Sequence, residues 1–260
     1  MQYPPLLAYI CIMLKEERQQ QILGCLQKER KVILSDLSKQ LKVSADTIRR
    51  DIKELSAQKL LKEVRGGAIP HAPGPHDLKE RANFASRQKQ IMARKAIHLL
   101  KEKQVVLLDS GTSTLAVASI LPKDFGLTII TNSYPIVSML EERKDVEVFF
   151  AGGRLFRDSM ITTGHDTITF FESIRADICF LGICSIDLEL GITGHHYEEC
   201  AVKKAMIKSS GKVIALSTPE KLNTAEAFHI APIQALNGMI TSSPELDLLT
   251  PYKKAGINVI

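Results

Sequence analysis

The chain has 260 residues, 45% hydrophobic and 24% charged, the make-up of an ordinary globular protein rather than a fibrous or low-complexity one. Its five cysteines (Cys11, Cys25, Cys179, Cys184, Cys200) form no C-x-x-C pair, which argues against a zinc ribbon or a disulfide framework, and no apolar stretch reaches the length of a membrane span. The net charge of +5 sits wholly in residues 1–70, with 13 Lys and Arg against 8 Asp and Glu, while residues 71–260 carry 21 of each; a polyanion partner is expected for the first part alone.

Residues 1–13 read as an extension or tail. The stretch "MQYPPLLAYICIM" has no basic start and no small-residue cleavage site, and residues 6–14 are too few to cross a bilayer. A cytoplasmic protein with no membrane partner is expected. Met13 then opens "MLKEERQQQIL", and a first helix is predicted over 16–27 with Ile22, Leu23 and Leu26 inward. "LSDLSKQL" predicts a second helix with Ser35 as its N-cap. "VSADTIRRDIKEL" predicts a third, capped by Ser44, whose apolar stripe is Ile48, Ile52 and Leu55. At 100° per residue, Asp46, Arg50 and Lys53 face the other way, with Thr47 and Arg49 on the flanks. "QKLLKEVRGGAI" follows as two short strands turning at Gly66-Gly67.

Three helices and then a hairpin is the order of a winged helix-turn-helix, assigned to residues 14–69. In that motif the recognition helix enters the major groove of double-stranded DNA. Ser44 and Thr47 are then placed for phosphates, and Arg49, Arg50 and Lys53 for phosphates or guanine edges. Asp46 either accepts from a cytosine amine or aims an arginine. Arg65, with Gly66 and Gly67, puts the hairpin against the backbone or the minor groove. The plain alternative is a solvated face on a structural helix.

"PHAPGPH" breaks both periodicities and reads as a linker, taken as residues 70–80. From residue 81 the pattern changes. "SRQKQIMARKAIHLLKE" predicts a helix. Apolar strand runs at 105–109, 127–131, 146–151, 178–183, 212–216, 238–241 and 257–260 then alternate with helices that include 114–121, 135–142 and 198–209. Continuous apolar strands separated by helices predict an α/β domain, 81–260, with a mainly parallel sheet covered on both faces.

"LLDSGTSTLAVA" puts Asp109, Ser110, Gly111, Thr112, Ser113 and Thr114 between a strand end and a helix start. Free amides, a bare glycine and several hydroxyls make an anion cradle where open α/β sheets bind ligands; helix capping alone is the alternative. Asn132 ends the next strand and Gly152-Gly153 follow the one after. Glu199 opens a helix and Lys221 follows a strand, so that both could reach a sugar phosphate, or be merely a helix-end charge and a solvated lysine. His195, His196 and Cys200 lack a further spaced ligand, so neither a metal nor another cofactor is expected.

Two of these stretches carry a resemblance. "VSADTIRRDIKELSAQKLLKEVRGGA" resembles the DNA-binding signature of the DeoR-type bacterial transcriptional repressors over some 55 residues from Glu17, with Arg65 where that family usually has His. "LLDSGTSTLAVASIL", "TNSYPIV", "AGGRL", "ADICFLGICSID" and "EECAVKKAM" are similar to the effector-sensing half of the same family, from about residue 82 onward. The resemblance implies a sensor fold like that of ribose-5-phosphate isomerase, with a phosphorylated sugar or related metabolite as effector. It implies a site lined by Asp109 to Thr114, Asn132, Gly182, Glu199 and Lys221. Thr218 stands where the family carries an acidic residue and Leu222 where it carries an aromatic one, so an altered effector or pocket is expected. The reading as a whole is a homo-oligomeric repressor of carbohydrate or nucleoside genes, released by its effector. The alternative is an enzyme like a sugar-phosphate isomerase with a basic appendage, against which the loss of the carboxylate at Thr218 argues.

Overall fold

The computed structural model describes residues 13–29, 31–58, 60–70, 78–83 and 85–260. The expected tail, apart from Met13, and residues 71–77 of the expected linker lie outside the described residues. The chain divides into two compact units, Met1–Pro70 and His71–Ile260.

The first unit contains α1 (Lys15–Glu29), β1 (Val32–Ile33), α2 (Leu34–Leu41), α3 (Ala45–Ala57), β2 (Lys62–Val64) and β3 (Gly67–Ile69). Each helix turns one apolar stripe inward. Ile22 and Leu26, Leu37 and Leu41, and Ile48, Ile52 and Leu55 meet Val32, Leu61 and Ala68 in a single core. The chain leaves α2 through Lys42, whose left-handed backbone lets its amide donate back to the Ser38 carbonyl. Ser35 does not cap α2, contrary to expectation. Extended Ile33 precedes the helix without any side-chain cap, because Val32 and Ile33 pair with Ala68 and Gly67 and the chain passes from that pairing straight into the helix. The antiparallel sheet therefore has the order β1-β3-β2, and its first strand is two residues long, too short to leave an alternation in the sequence.

The second unit contains α4 (Leu78–Asn83), α5 (Ser86–Ile97), β4 (Val105–Leu108), α6 (Thr112–Ala118), β5 (Thr128–Thr131), α7 (Tyr134–Leu140) and β6 (Glu147–Phe150). It continues with β7 (Arg154–Phe156), β8 (Ile161–Thr163), α8 (His165–Glu172), β9 (Ile178–Gly182), β10 (Ser185–Asp187), β11 (Gly191–Gly194) and α9 (Tyr197–Lys208). It finishes with β12 (Val213–Leu216), β13 (Phe228–Ala231), β14 (Gly238–Ile240) and α10 (Thr250–Lys254). Residues 78–80, expected as linker, form the first turn of α4.

Six parallel strands lie in the order β14-β12-β9-β4-β5-β6. Alternate residues feed two cores. Val106, Leu108, Ile129, Phe180 and Leu216 point to the face covered by Met92, Ala96, Val117 and Ile136. Leu107, Ile130, Cys179, Leu181 and Ala215 point to the face covered by Phe171, Val202, Ala205 and Met206. The strand predicted at 257–260 is reduced to one parallel bridge, Met239 with Val259. The β7–β8 hairpin and the antiparallel sheet β10-β11-β13 were not expected; three- and four-residue strands leave too little alternation to be read. Among the described residues no helix is long and apolar enough to cross a membrane.

The chain lays β4, β5 and β6 outward in one direction and then returns to the other side of β4 for β9, β12 and β14. That reversal opens a crevice beyond the carboxyl ends of β4 and β9, the place where open α/β sheets receive ligands.

Candidate functional site

In the first unit the predicted groups stand on α3 and the hairpin. The Ser44 hydroxyl accepts the Thr47 amide at 3.2 Å and lies 2.9 Å from the Thr47 hydroxyl, so the helix start is capped as expected. The Asp46 carboxylate holds Arg49 at 2.6 Å on the exposed face, a pairing that the aiming role would use. Arg50 and Lys53 are exposed on the side away from Ile48 and Ile52.

The groups that orient this helix were missed as such. Asp51, buried within the apolar stripe, receives a two-pronged hydrogen bond from Arg18 of α1, through Nε to Oδ2 and through a terminal nitrogen to Oδ1 at 3.1 Å. The signal was present, because an Asp three residues after Ile48 occupies a stripe position and must find a partner inside.

On the hairpin Arg65 and Gly66 are exposed, and Gly66 has φ +81°, which a glycine adopts without strain. Gly67 is corrected as a contact residue. It is buried, and a Cβ there would lie 1.9 Å from the Val32 carbonyl oxygen, so its smallness lets β3 press against β1.

In the second unit the crevice gathers most of the predicted ligand groups. Gly111, with φ +115°, precedes α6. The Thr114 hydroxyl turns back to the Gly111 carbonyl at 2.9 Å, and Ser110 donates to Asp109 Oδ1 at 3.3 Å. Ser113 is buried, whereas Thr112 is partly open. Asp109, 1% exposed, is committed to the protein: its Oδ2 accepts the Gly182 amide at 2.8 Å and the Lys203 ammonium. Its hydrogen bonds make it a positioning group for Gly182 and Lys203. Gly182 is likewise there for closeness, because a Cβ would stand 2.8 Å from the Ser110 carbonyl oxygen. Lys221 reaches the Ile183 carbonyl at 2.5 Å, and Glu199 lies 3.7 Å from Lys203 and 3.5 Å from the Ser159 hydroxyl.

Lys203, Lys89 and Arg81 were not singled out from the sequence. Lys203 also donates to the Gly182 carbonyl at 3.1 Å. Burial favours losing its proton, but the Asp109 and Glu199 carboxylates outweigh this and hold the ammonium above its ordinary range. Lys89 is pushed down to about 8, first by burial and then by the charges of Lys221 and Arg81. Lys221 is lowered chiefly by burial. Both unforeseen lysines interrupt apolar stripes, Lys89 before Met92, Ala93 and Ala96, and Lys203 between Cys200 and Met206.

Among the described residues, the buried side-chain oxygens that find no hydrogen-bond partner in the protein include Asn132 Oδ1, Thr218 Oγ1 and Thr241 Oγ1. They stand just beyond the carboxyl ends of β5, β12 and β14 respectively. Buried polar atoms left over at one edge of a sheet are what a polar ligand would satisfy. Among the described residues no group of three His, Cys, Asp or Glu side chains is arranged to hold a metal ion.

A model of the DeoR-like helix-turn-helix domain matches residues 18–71, and a model of the DeoR C-terminal sensor domain matches residues 85–243. The HTH-type transcriptional regulator GlpR of Haloferax volcanii is 31% identical over 253 residues, covering 95% of this chain and 98% of its own. The HTH-type transcriptional repressor GlcR of Bacillus subtilis is 31% identical over 88% of this chain and 89% of its own. The glycerol-3-phosphate regulon repressor of Escherichia coli K12 is 28% identical over 89% and 92%. Among solved structures, a D-ribose-5-phosphate isomerase in complex with phospho-erythronic acid covers 53% of this chain and 54% of that chain at 16% identity, with a TM-score of 0.39, a likeness too loose to bear on the site.

Proposed function

The chain belongs to the DeoR family of transcriptional regulators, and we propose that it is a repressor of carbohydrate or nucleoside genes which a phosphorylated sugar or related metabolite releases from DNA. In this reading α3 lies in the major groove, with Arg50 and Lys53 on phosphates or guanine edges, Arg49 aimed by Asp46, and Ser44 and Thr47 near a phosphate. Arg65 and Gly66 bring the hairpin to the backbone. The protein works as a homo-oligomer in the cytoplasm, since helix-turn-helix units pair on symmetric half-sites.

The effector occupies the crevice beyond β4, β9 and β12. The observation that carries this half is the set of cations there, buried Lys203 and Lys89 and half-buried Lys221; Lys89 and Lys221 are lowered chiefly by loss of water, Lys89 further by the charges of Lys221 and Arg81. An incoming anion offsets those charges. Thr112, Asn132 and Thr218 supply hydroxyl and amide contacts, and Glu199 accepts from sugar hydroxyls. Ligand and DNA are coupled through their differential affinity for two arrangements of the oligomer.

The test is fluorescence anisotropy of the full chain on a duplex selected from a randomised library. Binding is expected to weaken steeply with salt and to be weakened further by one of a panel of sugar phosphates. Salt-dependent binding that no sugar phosphate alters would overturn the effector half, and absence of duplex binding would overturn the whole.

A further inference from the structure

We propose that Cys184 is an oxidation site, a thiol that hydroperoxides convert to a sulfenic acid within the crevice, with His195 as the proton donor and Glu226 as the group that orients it. Cys184 stands two residues past the end of β9, and Thr218 two past the end of β12. Gly182 pairs with Leu216 in register, so the two residues follow the ends of adjacent strands. The Thr218 hydroxyl is buried and without a hydrogen-bond partner in the protein at the end of the neighbouring strand.

The His195 ring is held between two groups. Its Nδ1 lies 3.0 Å from Glu226 Oε2, and its side chain hydrogen-bonds Cys184. Glu226 is fixed in turn by its own amide on the Thr193 hydroxyl at 2.8 Å and by the Ser185 hydroxyl at 3.5 Å. Burial favours neutral imidazole, but the hydrogen bonds to Cys184 and Glu226 outweigh it and push His195 up to about 10, so the ring carries its proton at neutral pH. Lys221 and Lys203 lie close enough for their charges to act on the same sulfur.

The other described thiols lack this setting. Cys179 is fully buried and its pKa is raised by that burial. Cys200 is buried, points to the Phe228 carbonyl, and is pushed up to about 11. Cys25 is half-buried in the first unit beside the Gln40 amide. Cys184 alone of these four combines partial exposure with cationic neighbours, the environment in which a sulfur attacks peroxides.

The chemistry balances without a further reactant. The Cys184 thiol releases its proton to water, the sulfur attacks one peroxide oxygen, the S–O bond forms and the O–O bond breaks, and the departing alkoxide or hydroxide takes a proton from His195, which the released proton then restores. Sulfur loses two electrons and the hydroperoxide gains them, leaving Cys184 as sulfenic acid and the peroxide as alcohol or water. The oxidised sulfur projects among the lysines that the proposed effector would use. That coupling rests on the proposed function, whereas the oxidation does not.

The experiment treats the reduced full chain with hydrogen peroxide, traps sulfenic acid with dimedone, and maps the adduct by peptide mass. The expected first site is Cys184. Cys184→Ser removes the fast adduct, and His195→Gln slows its formation by at least about tenfold with an unchanged melting temperature. An independent reading is iodoacetamide alkylation of the unaltered chain, in which Cys184 leads the other cysteines. A different cysteine reacting first, or an unchanged rate in His195→Gln, overturns the proposal. A Cys184 adduct that leaves the response to sugar phosphates intact supports the oxidation site and overturns only its coupling to the effector.

Discussion

Asp51 in the small unit and Lys203 in the large one hold the same kind of position. Each is a charge on the apolar stripe of a helix, nearly excluded from water and answered by an opposite charge from elsewhere in its unit, Arg18 for Asp51 and Asp109 for Lys203. Their relation to function differs. The Arg18–Asp51 pair lies behind the face that would meet DNA, and the charges in front of it, Arg50 and Lys53, are in water. The Lys203–Asp109 pair is the floor of the crevice itself. Under the proposed function, the small unit separates the charges that hold it together from those that bind, and the large unit uses one set for both. Stability and binding should therefore come apart under mutation in the first unit and move together in the second.

The largest effect that could break this contrast is expected from Lys203→Met. It leaves the Asp109 carboxylate buried without its cation, and unfolding by urea should show a loss of about 3–5 kcal/mol together with loss of the response to sugar phosphates. Asp109→Asn added to it should restore part of the stability. Asp51→Ala is expected to cost about 2 kcal/mol of stability in the same measurement, since Arg18 is 12% exposed and regains some water once its partner is gone. Duplex affinity of the folded protein should change little, because Asp51 lies behind the face that carries Arg50 and Lys53.

Arg50→Ala sharpens the contrast from the other side. Duplex affinity should drop roughly tenfold or more, and the slope of log affinity against log salt should shrink by about one, while the melting temperature stays put. A fall in melting temperature of the size seen for Asp51→Ala would show that Arg50 is part of the fold. Ser44→Ala is the smallest, about 1 kcal/mol lost from the capped end of α3 by thermal melting, with a modest loss of duplex affinity.

The same two positions show how far the sequence could be read. Period-3.6 stripes placed α1, α2 and α3 and exposed the cationic face opposite Ile48 and Ile52; apolar runs placed all six parallel strands. Asp51, Lys89 and Lys203 occupy stripe positions and so could have been read as charges on buried faces, but they were passed over, and no local pattern says what answers them. Arg18 is 33 residues from Asp51, and Asp109 is 94 residues from Lys203, contacts that only the tertiary fold creates. The crevice was found from the turn after β4, because hydroxyls and glycine at a strand end have a local meaning. The packing role of Gly67 and Gly182 was not legible for the opposite reason: what presses on them, Val32 of β1 and Ser110 of the turn after β4, leaves no local trace.

The central claim is that the buried lysines of the crevice bind the anionic part of a small effector. Calorimetric titration of the full chain with a sugar phosphate that shifts its melting temperature, beside the same sugar without phosphate, tests it most directly. The account predicts tight binding of the phosphorylated form alone, weakening as pH rises through about 8 and Lys89 sheds its proton. Equal binding of both sugars, unaffected by pH and by Lys221→Met, would contradict it.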